Sequence, residues 1–115
     1  MRPALQVTTK LQTKFSTIYM DSFLVTFSIQ KDENFQMRHR SLVDAIKGIA
    51  DTEPWEETAT LYIFQASGTA AAICNSLYTN SKLTRNDKIV VINLDSKMHD
   101  YRNIEYPRKL RSTIG

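Results

Sequence analysis

The chain has 115 residues, of which 42% are hydrophobic and 23% charged, and a formal charge of +3. That length suits one domain, and the apolar share excludes a chain disordered throughout. No apolar run approaches the roughly 18 residues of a membrane span. The single Cys74 excludes an internal disulfide framework and a cysteine-based zinc site. One thiol fits a reducing compartment, so the expected location is cytoplasmic, without a membrane partner.

The charge is unevenly placed. Residues 1–20 carry Arg2, Lys10 and Lys14 and no acid, and residues 100–115 carry four basic residues against Asp100 and Glu105. The stretch between holds eight basic and ten acidic residues, so the excess is terminal. Basic ends either hold phosphate or simply keep a domain soluble.

Residues 1–19 read as a basic extension with scattered apolar residues and no secretory core. Val7, Leu11, Phe15 and Ile18 could line one helical face, loosely like a mitochondrial presequence. The simpler reading is an extension upstream of a compact domain over residues 20–97. Phe23-Leu-Val-Thr-Phe-Ser-Ile29 alternates as a strand, with Phe23, Val25, Phe27 and Ile29 on one side. From Phe35 to Ile49 the period turns helical. Phe35, Leu42, Ala45, Ile46 and Ile49 form its apolar stripe, Arg38, Arg40, Asp44 and Lys47 fall mostly outside it, and Asn34 is the cap.

Pro54 ends that region, and Trp55–Gln65 is strand-like, long enough for a bend or a hairpin. Ser67-Gly68-Thr69 opens a second helix, whose apolar side is Ala70, Ile73, Cys74 and Leu77. Lys88–Leu94 is the strongest strand, apolar enough for a central place in a sheet. Beyond it, residues 98–115 read as a polar, basic tail interrupted by Pro107. If Trp55–Gln65 supplies two strands, the order is that of an α+β, ferredoxin-like βαββαβ sandwich, an antiparallel sheet with both helices on one side. Its other side, with Leu24, Val90, Ile92 and Leu94, is then expected to meet a second subunit.

Chemistry is sparse. There is no Walker loop, dinucleotide fingerprint or H-E-x-x-H pair. Ser67-Gly68-Thr69 could offer N–H groups to an anion, but a plain capped turn is the commoner outcome. His39, between Arg38 and Arg40, reads as a surface residue before it reads as a base, and Cys74 as a core thiol. Asp32 and Glu33 follow the first strand, where a magnesium ion could meet a phosphate. Lys31, Arg38 and Arg40 are the basic cluster of the compact region and the candidate contacts for RNA or DNA. Tyr62 and Phe64 could stack bases, although strand aromatics more often pack the core.

The span Phe23–Leu94 resembles small ferredoxin-like proteins of the CRISPR-associated Cas-two family, including SinR-type and GhoS-type relatives. The matching pieces are Phe23–Ile29, Leu42-Val-Asp-Ala-Ile46, Trp55, Thr60-Leu-Tyr-Ile63, the helix around Ile73 and Leu77, and Asn86-Asp-Lys-Ile-Val-Val-Ile92. The resemblance implies a homodimer joined through sheets or edge strands, with metal-dependent cleavage of RNA or DNA in active members. Their characteristic Asp follows an aromatic residue at the end of the first strand. Here that place, after Phe27, holds Ser28, and a hydroxyl does not replace the anionic ligand. Ser28 and Asp32 are therefore the candidate catalytic positions of a weakened site. The expected function is a noncatalytic dimeric binding or assembly module without a cofactor. The alternatives are a divergent magnesium-dependent endoribonuclease and a regulatory protein with no nucleic-acid partner.

Overall fold

The computed structural model describes residues 20–115, so the N-terminal extension expected over residues 1–19 lies outside the described residues. The elements are β1 (Asp21–Ser28), α1 (Phe35–Ile49), β2 (Trp55–Thr58), β3 (Leu61–Ala66), α2 (Ala70–Asn80), β4 (Lys88–Asn93), β5 (His99–Arg102) and α3 (Pro107–Ile114). The strands form one sheet in the order β2-β3-β1-β4-β5, with every neighbouring pair antiparallel. The architecture is α+β.

β1 is the central strand. Leu24 pairs with Ile63 of β3 on one side and Ile92 of β4 on the other. Its alternation separates two surfaces. Phe23, Val25 and Phe27 are buried beneath Leu42 and Ile46 of α1 and Ile73, Cys74 and Leu77 of α2. Tyr62, Phe64, Ile89 and Val91 complete this core, with Phe23 stacked on Phe64 at 6.3 Å and Phe27 on Tyr62 at 5.9 Å. The two aromatics considered for base stacking, Tyr62 and Phe64, thus pack between sheet and helices.

The strand-like stretch from Trp55 is a hairpin. Trp55 pairs with Ile63 and Thr58 with Leu61, and a bulge between them absorbs one extra residue. Thr60 at its tip accepts hydrogen bonds from the Phe27 amide and the Thr26 hydroxyl, which fastens the hairpin to β1. Gly68 opens α2 with φ +120°, a backbone state that L side chains rarely adopt. The Thr69 side chain then accepts the Ala72 N–H at 3.0 Å.

Regular structure continues past Ser96, where polar composition and Pro107 suggested only a tail. The carboxamide oxygen of Asn93 accepts the N–H groups of Asp95 and Ser96, and Lys97 takes φ 68°, turning the chain back as β5. Backbone pairing carries this strand, and its side chains are all half-buried. Pro107 then starts α3 rather than preventing it, because the first turn of a helix needs no proline N–H. Among the described residues no helix is long and apolar enough to cross a membrane.

Candidate functional site

Two regions bear on function, the end of β1 and the sheet surface away from α1 and α2. At the end of β1 the sequence candidates do not converge. Ser28 is exposed and lies opposite Lys88 across the β1–β4 pairing. Lys31 sits over the Phe35 ring, its Nζ 5.1 Å from the centroid. Arg40 lines an open cleft of about 400 Å³ between α1 and the hairpin, where Asp44 and Glu56 offset its charge. His39 is half-buried, its ring 5.7 Å from that of Phe27 and 5.9 Å from that of Phe35.

Arg38 departs most from its expected place. It is 5% exposed, on the stripe of α1 that also carries Leu42 and Ile46. Its Nη2 donates to the Gln30 carbonyl at 2.8 Å and to Asp32 at 3.0 Å. Its Nε lies 3.2 Å from Asp87 Oδ2, close enough for an ion pair, although the N–H is not aimed to form a hydrogen bond. A buried guanidinium with these partners is not available to a phosphate. Arg38 holds the loop after β1 to the entry of β4.

Asp87 is its counterweight. The carboxylate is fully buried and accepts the Gln30 N–H, the Thr84 N–H and the Thr84 hydroxyl. Asn103, at φ 66°, donates to the carbonyls of Asp87 and Thr84 and to the Tyr78 hydroxyl. The turn Thr84–Asp87 before β4 therefore builds a structural knot joining α1 and α2 to the chain just after β1 and β5.

Asp32 is engaged as well. It accepts the Asn34 N–H and the Arg38 guanidinium, so Asp32, not Asn34, supplies the side-chain hydrogen bond at the start of α1. The Arg38 hydrogen bond, followed by that from Asn34, holds its carboxyl below the ordinary value. A depressed carboxyl stabilises the fold above the unfolded-state value, about 4, and this contribution fades as pH falls through the lowered native value. Asp32→Ala is accordingly expected to lower the urea midpoint at pH 7, with the gap from wild type narrowing as the pH falls below the unfolded-state value. A pH-independent gap would show that charge is not what Asp32 contributes. Among the described residues, no group of three or more His, Cys, Asp or Glu side chains could hold a metal ion. Cys74 is buried, which pushes its thiol up to about 11, so it is not a thiolate at neutral pH.

The other region was partly foreseen from alternation. Opposite the helices, one row of paired positions crosses all five strands: Trp55, Ile63, Leu24, Ile92 and His99. The next row is Leu61, Thr26, Val90 and Tyr101. Trp55 is 43% exposed, and the remaining members of both rows are half-buried. His99 stacks on Tyr101 at 6.4 Å between ring centroids. At this side of the sheet the end of α3 approaches. Arg111 and Ile114 line a pocket of about 370 Å³ with Lys97, Met98, His99 and Tyr101. Half-buried Pro107, Leu110 and Ile114 share one side of α3, while Arg108, Lys109 and Arg111 are exposed. The i, i+3, i+7 spacing of those three apolar residues is the signal by which the helix could have been found.

No family model, no curated protein and no solved structure matches the chain.

Proposed function

We propose that the chain is a ferredoxin-like, Cas-two-like module that forms a homodimer and acts by binding or assembly rather than hydrolysis. The observation that carries this reading is the sheet surface opposite α1 and α2. Its apolar side chains run from Trp55 of β2 through Ile63 and Leu24 to Ile92 of β4, with Leu61 and Val90 in the next row, and contiguous apolar surface of this kind is uncommon on a monomer unless it serves an interface. The strand order β2-β3-β1-β4, with α1 after β1 and α2 after β3, supports the ferredoxin-like reading.

Two features weigh against phosphodiester cleavage. Ser28 stands where the resembling nucleases carry their carboxylate, and Asp32 already accepts from Arg38 and Asn34. Both donors fall on Asp32 Oδ1, and the Arg38 guanidinium paired with that carboxylate already offsets the charge a magnesium ion would need. Sedimentation velocity from low to high micromolar concentration, run beside incubation of RNA and DNA with Mg²⁺ or Mn²⁺, tests the reading. The expected result is a monomer–dimer equilibrium without cleavage. Cleavage that Asp32→Ala abolishes would replace the proposal with a divergent magnesium-dependent endoribonuclease. Salt-sensitive retention of RNA or DNA would identify nucleic acid as what the module binds, and its absence would favour a regulatory protein with no such partner.

A further inference from the structure

The two edges of the sheet carry opposite charge. Residues 51–66, which include β2 and β3, hold Asp51, Glu53, Glu56 and Glu57 and no Lys or Arg. Residues 97–115, which include β5 and α3, hold five basic residues against Asp100 and Glu105. Glu53 and Glu57 at one edge and Arg108, Lys109 and Arg111 at the other are exposed, and none enters an ion pair among the described residues, whereas Glu56 lines the cleft beside α1. β2 and β5 are the outermost strands, four strand spacings apart, or about 19 Å. This is about twice the screening length at physiological ionic strength, so the edges scarcely attract one another within a single chain.

We propose that the surface seats a second copy of this chain in one orientation, with the twofold axis running along β1, the acidic β2 edge of each copy lying against the basic β5–α3 edge of the other. The inference rests on the homodimer reading and adds its geometry. Two sheets packed face to face can be related by a twofold axis along the strands or across them. An axis across the strands sets β2 over β2 and α3 over α3, bringing like charges together twice. An axis along β1 exchanges the edges and brings opposite charges together twice. Because β1 is the middle strand, its Leu24 then faces the partner's Leu24 at the centre, and the apolar rows stay superposed. Charge selects between two arrangements that the apolar rows alone allow.

Charge reversal tests this on the full chain. One variant carries Glu53→Lys and Glu57→Lys, a second carries Arg108→Glu, Lys109→Glu and Arg111→Glu, and a third carries all five changes. Every altered side chain is exposed, and a urea melt of each variant checks that it folds. Dimer dissociation constants are measured by sedimentation at 50 and 500 mM NaCl. At low salt each single-edge variant is expected to dissociate at least tenfold more readily than wild type. The five-substitution variant should return to within threefold, and the differences should shrink at high salt. Single-edge variants that dimerise like wild type, or a combined variant no better than either, would overturn the orientation while leaving the homodimer standing. A wild-type chain that stays monomeric would overturn both readings and assign the surface to residues 1–19 or to a different protein.

Discussion

Replacing Asp87 by Ala is expected to lower the unfolding free energy by about 3–5 kcal/mol, the usual loss when one partner of a buried ion pair is removed. The carboxylate is inaccessible to water and accepts three hydrogen bonds besides facing Arg38. Its removal leaves the Gln30 and Thr84 amides without their acceptor and the guanidinium without its buried anion. Asp32 cannot make up the difference, because its side chain is 38% exposed and its attraction for Arg38 is screened. A small domain has only about 5–15 kcal/mol in total, so the variant should be close to unfolding at 37 °C. Urea denaturation followed by Trp55 fluorescence measures this directly. Asp87→Asn should fall between wild type and Asp87→Ala, since the amide keeps an acceptor but loses the charge. Equal stability of all three proteins would show that the knot contributes nothing net.

The second large effect compares neighbours on opposite sides of β1. Phe23 is fully buried and stacked on Phe64, so Phe23→Ala should lose about 3–5 kcal/mol through a cavity the surrounding core only partly fills. Leu24 is one residue away and half-buried on the surface without helices. Leu24→Ala, measured at submicromolar concentration, should lose about 1 kcal/mol or less. At tens of micromolar the gap between Leu24→Ala and wild type should widen, because the wild type is then stabilised by its own association. Equal losses at Phe23 and Leu24 at every concentration would mean that the two sides of the sheet are equally packed.

Alternation in β1 and β4, the helical period of α1, and the capped turn before α2 were all legible in the residues, because each is a local pattern with a single dominant cause. The same logic separated the helix side of the sheet from the surface proposed as an interface. Arg38 was harder to place. Its spacing to Leu42 and Ile46, four and eight residues, puts it on the buried stripe, but its charge argued for solvent. The resolving information is Asp87, 49 positions away, and no periodicity reports that distant pairing. β5 escaped for a related reason. Neither His99-Asp-Tyr-Arg102 nor its flanks carry an apolar pattern, and the strand exists because β4 offers an edge and Asn93 turns the chain toward it. The end of β1 shows the reverse error, since residues adjacent in sequence, Lys31 to Arg40, point to separate tasks once folded.

The central position of β1 also sets an order in time. Its two partners, β3 and β4, lie far downstream, and Asp21 reaches Asn93 across 72 positions of chain. During synthesis at about 5–20 residues per second, β1 leaves the ribosome roughly 4–15 s before its second neighbour exists. Until then the segment Phe23–Ile29 has nothing to pair with on its β4 side. A chain paused or truncated before β4 therefore carries its central strand, apolar along Phe23–Ile29, with one edge open, which exposes that nascent intermediate to aggregation.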